Sequence, residues 1–267
     1  MTGPNKQYWE LIKTVLAPDR EAAGVRFLYT AGQYEASSAP ELRKALSYCT
    51  MVRLAGQGRN LKATAALSSC AGGSLATGLI PLSDYKKSGC SYEEDNAKLY
   101  KTTGTARAVV QEMKFMDNIV HGLELRPLRD FTEADPDVVI MVINAYAAMR
   151  LVQAYTYQNG YKTDFRLCGN QAFCSELTAA PYLADDINLS MLCSGTRHRC
   201  RWSDNEVGLG LAYGQLPRLV DGLLATLPEA ELGSKKEQIR QRALEAGLDI
   251  DVRPGREYFV RKLKTDW

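Results

Sequence analysis

Cysteines carry the chemistry that is most readily identified in this chain of 267 residues, which has seven of them. Four form two pairs of similar spacing, since Cys49 and Cys70 are 21 residues apart and Cys174 and Cys193 are 19 apart. Glycine stands two residues after the second cysteine of each pair. Four thiolates suit zinc or an iron–sulfur cluster, and backbone amides at glycine turns can point at sulfur and stabilise its charge.

The wide spacing of these cysteines favours a cluster over a single zinc ion. Structural zinc commonly uses two Cys-x-x-Cys knuckles, and none occurs here. We therefore expect a [4Fe–4S]-type cluster: three ligands would leave one iron open as a Lewis acid for dehydration or desulfurisation, and four would favour reductive chemistry. The alternatives are ordinary core thiols, a cluster- or zinc-binding carrier or binding protein that is not an enzyme, and a catalytic cysteine nucleophile.

The other three cysteines have less distinctive surroundings. Cys90 and Cys200 lie in polar segments, where we expect exposed and incidental thiols. Cys168 precedes Gly169 close to Cys174, so it is either a substitute ligand or a catalytic thiol.

Three polar residues near the cysteines or on a predicted helix are candidates for catalysis. Glu176 follows Cys174 by two residues and could act as a general acid or base if it is buried. Arg150 could hold a carboxylate or phosphate through two parallel hydrogen bonds. His198 lies in a basic segment beside Cys193 and could bind or protonate an anion. We expect a small-molecule substrate, anionic in character, together with an electron-donor protein.

Composition excludes several classes of partner. The 33 basic and 31 acidic residues give a net charge of +2, and the isoelectric point is about 8.1. A nucleic-acid or anionic-membrane partner usually requires a much more basic chain, so neither is expected.

The chain has no signal-like apolar run near residue 1, no run of about 18 apolar residues, no glycine-rich nucleotide loop and no Gly-x-Ser-x-Gly elbow. These features predict a cytoplasmic protein that could form a homo-oligomer.

Hydrophobic periodicity predicts a mixed α/β (α+β) fold, a single globular domain with two pseudo-symmetric halves. The cysteine pairs indicate an internal repeat whose two units are roughly residues 22–82 and 160–227. Both units lie in a predicted core at 1–227, and a helical, basic extension is predicted at 228–267. The predicted strands are 24–29, 61–67, 123–128 (an edge strand, because Pro127 cannot donate to a ladder), 137–143, 163–167, 188–192 and 207–211. The predicted helices are 8–16, 40–54, a short one near residue 75, one ending at 116, then 145–157, 216–227 and 235–246, with a loop at 32–38.

A series of short motifs accompanies the cysteines along the chain. They are Tyr48-Cys49 with Arg53-Leu54-Ala55, Ser69 to Gly73 with Gly78-Leu79, Pro136 to Val139, Met149 to Tyr155, Gln171 to Cys174, Pro181-Tyr182 and Leu192 to Gly195. In this ordered set the chain resembles the domain-of-unknown-function 169 family over about residues 20–227. Two positions depart from the family's pattern, since Ala71 stands where proline is usual and Thr196 where some members carry another cysteine.

The resemblance implies no reaction and no substrate. The family is common in anaerobes, and its recurring cysteines fall at the two pairs described above. This implies an oxygen-sensitive iron–sulfur protein, in agreement with the expectation from the residues themselves.

Overall fold

One antiparallel sheet organises the computed structural model, which describes residues 3–94, 99–116 and 119–252. Six strands in these ranges pair in the order β2-β3-β1-β4-β6-β5, and every neighbouring pair is antiparallel. The strands are β1 Ala23–Leu28, β2 Leu61–Thr64, β3 Gly122–Pro127, β4 Val138–Asn144, β5 Ile187–Ser190 and β6 Glu206–Ala212. The prediction of a mixed α/β single domain is confirmed.

Helices cover both faces of the sheet. Within the described ranges the α-helices are α1 Pro4–Leu16, α2 Ala31–Ala36, α3 Tyr48–Gly56, α4 Ala71–Ala76, α5 Asp84–Lys87, α6 Cys90–Glu94, α7 Thr103–Glu112, α8 Ala145–Asn159, α9 Ala180–Ala184, α10 Ser194–Cys200, α11 Leu216–Ala225, α12 Leu227–Ala230 and α13 Gly233–Ala246. A π-helix spans Ala172–Ala179, and short 3₁₀ turns follow β2, β3 and β6. In the part of the chain described, no helix is both long and apolar enough to cross a membrane.

Two hydrophobic cores lie on opposite faces of the sheet. Strand β4 contributes to both, because successive side chains of a strand point to opposite faces. Val138 and Ile140 pack with α3 and the π-helix, whereas Val139 and Met141 pack with α1, α8 and α11. This explains why β4 is a continuous apolar run.

The strand order is symmetric about its centre: β2-β3-β1 in one half corresponds to β5-β6-β4 in the other. Strand β4 therefore occupies the position equivalent to β1, so the second half of the sheet begins at Val138. The predicted repeat began at residue 160 and left this strand out. A superposition of the two halves stays a prediction.

The predicted strand at 163–167 is wrong. The side chain of Asn188, on the edge strand β5, accepts from the Arg166 backbone N–H (2.8 Å) and donates to the Arg166 carbonyl (3.0 Å). Because one side-chain amide satisfies both backbone groups, the segment needs no ladder of its own.

Strand β3 is also misplaced in the prediction, since it lies between β1 and β2 rather than at an edge. Pro127 is its last residue and pairs with Ala23, so the missing N–H falls where the ladder ends. The edges of the sheet are β2 and β5.

The predicted helix at 40–54 forms only in its second half. Residues 40–46 run alongside β2, where Leu42 N–H donates to the Lys62 carbonyl and Leu46 N–H donates to the Leu67 carbonyl. Ser47 then caps α3 by accepting from the Thr50 N–H.

The described part of the predicted C-terminal extension is attached to the core. Helix α13 packs on α1, and Arg242 Nε donates to the Thr14 carbonyl (2.7 Å). The basic tail at 256–264 lies outside the described residues.

Candidate cysteine-rich site

The four predicted ligands lie in four separate helical segments on the same face of the sheet. Cys49 is in the first turn of α3, Cys70 is the N-cap residue of α4, and Cys193 is the N-cap residue of α10. Cys174 is the third residue of the π-helix. The first three sulfurs are thus at helix starts, where free backbone N–H groups and the helix dipole favour negative charge.

Cys174 is the buried member of the set, with 8% of its surface exposed. Burial raises the pKa of its thiol well above the usual range, and charge on the nearby sulfurs of Cys70, Cys49 and Cys193 raises it further. The structure therefore brings the four sequence-predicted cysteines within electrostatic reach of one another.

Cys49 has three polar neighbours around its sulfur. The Cys200 thiol and the Thr196 hydroxyl lie near it, and the Ser47 hydroxyl lies 3.7 Å away. The interaction with Cys200 contributes most, and together these groups lower the pKa of the Cys49 thiol against the opposing effect of burial. The same interaction raises the pKa of the Cys200 thiol.

The expectation that Cys200 is exposed and incidental is wrong, because it is 1% exposed. Cys193, Thr196 and Cys200 are three and seven residues apart on α10 and therefore share one face of the helix. That face packs against α3 and brings Cys200 to Cys49. The spacing from Cys193 was the sequence signal that could have identified it.

Arg199 supplies positive charge to the site. Its Nη1 lies 3.8 Å from the Cys70 sulfur, and charge on the Cys70 and Cys49 sulfurs raises the pKa of its guanidinium. The Cys70 sulfur accepts from the Gly73 backbone N–H as well (3.4 Å). A Cβ on Gly73 would lie 2.9 Å from Tyr48 Cβ, so glycine is required for this close approach of α4 to α3.

The π-helix approaches the sheet closely because β6 carries glycine at the two positions that face it. A Cβ on Gly210 would overlap the Leu177 carbonyl oxygen and lie 2.7 Å from the Leu177 carbonyl carbon. A Cβ on Gly208 would overlap the Leu177 side chain. The Gly-x-Gly of β6 thus makes room for the helix that carries Cys174.

Strained backbone flanks two of the cysteines. Gln171, before the π-helix, has a φ of 51°, and Leu192, directly before Cys193, has a φ of 64°. Non-glycine residues rarely adopt this left-handed conformation, and such strain concentrates at functional sites. The π-helix is itself a form found mostly at such sites.

Glu176 is buried, as its predicted role requires, but its carboxylate is occupied. One oxygen accepts from the backbone N–H groups of Cys168 (2.7 Å) and Gly169 (3.0 Å), and the other accepts from the Ser190 hydroxyl. These bonds fasten the 168–169 turn and β5 to the π-helix. Glu176 is thereby placed as a positioning residue.

Arg150 and His198 do not join the cysteines. Arg150 lies in the core on the opposite face of the sheet, where it is fully buried and pairs with Glu231 (2.6 Å). Its buried ion pair connects α8 to the segment after α12. His198 is exposed on α10, one residue from the Arg199 guanidinium that does contact the cysteine sulfurs.

The two remaining cysteines are separate from this set. Cys168 is exposed, its sulfur contacts the Asn170 carbonyl (3.4 Å), and desolvation together with the Glu176 charge raises the pKa of its thiol to about 12. Such a thiol is protonated at neutral pH and a poor nucleophile. Cys90 is half-buried at the start of α6.

The separation of the sulfurs bears on which metal group they could hold. In the described ranges, no three His, Cys, Asp or Glu side chains form a group that could hold a metal ion. Tetrahedral zinc requires its sulfurs to be about 4 Å apart. The ligands of a four-iron cluster bind different iron atoms and are more widely separated, while amides and a cation beside the thiolates offset its negative charge.

The protein is thus of a mixed α/β class, with a six-stranded antiparallel sheet covered by helices and a set of cysteines on one face of the sheet. The chain belongs to the DUF169 family, described as uncharacterised ArCR, whose family model matches residues 11–222. It is 28% identical over 185 residues to the uncharacterized protein MJ0308 of Methanocaldococcus jannaschii, a match that covers 66% of this chain and 75% of that protein. No solved structure matches it.

Proposed function

We propose that Cys49, Cys70, Cys174 and Cys193 hold an iron–sulfur cluster of the [4Fe–4S] type in an enzyme that reduces a small molecule. The observation that carries this proposal is that the four helical segments holding these cysteines pack against one another on one face of the sheet. Several neighbouring thiols repel one another once ionised, and iron binding would remove that repulsion.

The positions of the ligands support binding by all four cysteines. Cys49 and Cys174 precede the edge strands β2 and β5, and Cys70 and Cys193 cap the helices that follow those strands. Each half of the sheet order thus supplies two sulfurs from corresponding places. A cluster with four cysteine ligands, when bound, supplies electron transfer.

The residues around the cysteines have separate roles in this proposal. Arg199 offsets the charge of the thiolates and, being exposed, is available to an anionic substrate. Glu176 fixes the π-helix through three accepted hydrogen bonds, so its role in this proposal is to orient Cys174 rather than to act as the general acid or base. This favours reduction over dehydration or desulfurisation at an open iron. A reducing cytoplasm and an electron-donor protein are the proposed setting, and a homo-oligomer stays a prediction.

The test is an absorption spectrum of the protein purified without oxygen, with iron and acid-labile sulfide assays on the same sample. We expect broad absorbance near about 400 nm and equal amounts of iron and sulfide. Each single Cys→Ser variant at the four positions should lose iron, whereas Cys90→Ser, the matched control, should keep it. Full retention of iron in all four variants would refute the ligand assignment.

Zinc is the competing outcome of the same test. A colourless protein with stoichiometric zinc, lost in the same four variants, would indicate a carrier or binding protein instead. A protein with neither iron nor zinc after reconstitution would indicate that the cysteines are ordinary core residues and would refute the proposal.

A further inference from the structure

A cavity of about 530 Å³ lies beside the π-helix, next to Ser175 and Glu176. It is bounded by α7, by the irregular segment 164–168 and by the π-helix residues Ser175 and Glu176. This volume is within the range of small-molecule sites in proteins. The apolar side chains that line it are Ala108, Val109, Met113, Phe165, Leu167 and Ala180.

The backbone of Lys114, which borders this cavity, forms two hydrogen bonds with one side chain. The Ser175 hydroxyl accepts from the Lys114 backbone N–H (3.2 Å) and donates to the Lys114 carbonyl (2.9 Å). Ser175 is 2% exposed and belongs to the π-helix. The backbone of Lys114 is therefore fixed relative to the helix that carries Cys174.

The charged side chains around the cavity are paired with one another, apart from Lys114, for which the described residues supply no acidic partner. Arg166 pairs with Glu112 (3.2 Å), and Asp164 pairs with Lys162. The Glu176 carboxylate takes its three donors from the protein. Among the described residues no acidic side chain pairs with Lys114, so the cavity presents an apolar wall and one unpaired positive charge.

We propose that this cavity binds a small carboxylate with an apolar body, whose carboxylate group pairs with the Lys114 ammonium. An ammonium attracts a carboxylate strongly where apolar walls limit the access of water. The apolar body of the ligand would cover the side chains of α7 and of segment 164–168, which are otherwise in contact with water. Binding at this site requires no cluster and is separate from the proposed iron site.

Decanoate is the probe, and calorimetric titration of the full chain measures its binding. Decyltrimethylammonium has the same apolar chain with the opposite charge and should bind at least about tenfold more weakly. Lys114→Met should weaken decanoate binding about tenfold, whereas Lys114→Arg should restore it. Lys6→Met, on the exposed side of α1, is the matched control and should bind as the wild type does.

A second variant tests the location. Val109→Trp should abolish decanoate binding by filling the cavity while its thermal unfolding stays that of the wild type. The proposal is overturned if decanoate does not bind, if the two charges bind equally, or if Lys114→Met and Val109→Trp bind as the wild type does. Because the titration is made on iron-loaded and iron-free protein alike, its failure is distinguishable from a failure of the cluster proposal.

Discussion

Gly210→Ala should displace the π-helix and with it Cys174. The new Cβ would overlap the Leu177 carbonyl oxygen and lie 2.7 Å from the carbonyl carbon, so the backbone must move by at least about 0.8 Å to bring the two carbon atoms to the ~3.5 Å that they prefer. Metal–ligand distances tolerate about 0.2 Å. We therefore expect loss of iron as well as a free-energy cost of about 3 kcal/mol, which corresponds to a fall in Tm of about 6–12 °C.

Gly222→Ala is the matched control, because it makes a nearly equal clash on the opposite face of the sheet. Its Cβ would lie 2.8 Å from the Ala154 carbonyl carbon, in the contact between α11 and α8. We expect a similar fall in Tm and unchanged iron. Gly214→Ala, whose nearest neighbour is Asp185 Oδ1 at 3.6 Å, should change neither.

The assay combines thermal unfolding, iron and sulfide content, and the rate of alkylation of Cys174 in iron-free protein well below Tm. Wild-type Cys174 should resist alkylation because it is buried and its pKa is raised. Gly210→Ala should accelerate that reaction and Gly222→Ala should not. If Gly210→Ala keeps its iron and leaves Cys174 as unreactive as in the wild type, the π-helix does not position this ligand and the reasoning is refuted.

Three further predictions concern single residues. Arg150→Met should lower the free energy of unfolding by about 3–5 kcal/mol, because it leaves the buried Glu231 carboxylate unpaired, and iron content should not change. In iron-free protein the neighbouring Cys200 thiol lowers the pKa of Cys49; since the thiolate is the nucleophile, the alkylation rate of Cys49 should reach its plateau at a lower pH than that of an ordinary thiol. Cys168→Ser should retain full iron, and loss of iron there would show that this cysteine is a ligand after all.

Local patterns predicted the elements whose hydrogen bonds are made within their own segment. Helix α8 was predicted to end at residue 157, and the structure ends it two residues later, at Asn159. Helix α2 was taken for a loop although Thr30 and Gln33 form a capping box, which the sequence contains as Thr-x-x-Gln. The sequence therefore contained the capping signal for this helix, and the prediction of a loop overlooked it.

Other errors arose from partners that are distant in sequence. The segment at 163–167 has the composition of a strand, but its backbone is satisfied by the side chain of Asn188. Arg150 is followed by Glu231 only after 80 intervening residues, so no local pattern could show that it pairs in the opposite core. By contrast, the repeated spacing of the four cysteines corresponds to equivalent places in the strand order, and their role as ligands stays a prediction.

The two halves of the sheet differ at the strands that support the cysteine-bearing helices. Strand β3 places Leu123 and Leu125 on the face that packs against α3, whereas β6, its counterpart in the strand order, places Gly208 and Gly210 on that face. Two leucine side chains hold α3 away from the sheet, and two glycines let the π-helix backbone approach directly. This difference explains why Cys174 is buried while the corresponding Cys49 is half-buried and borders the exposed Arg199. A cluster bound between them would therefore have a closed side at the π-helix and an accessible side at α3 and α10, which is where substrate or an electron donor should approach.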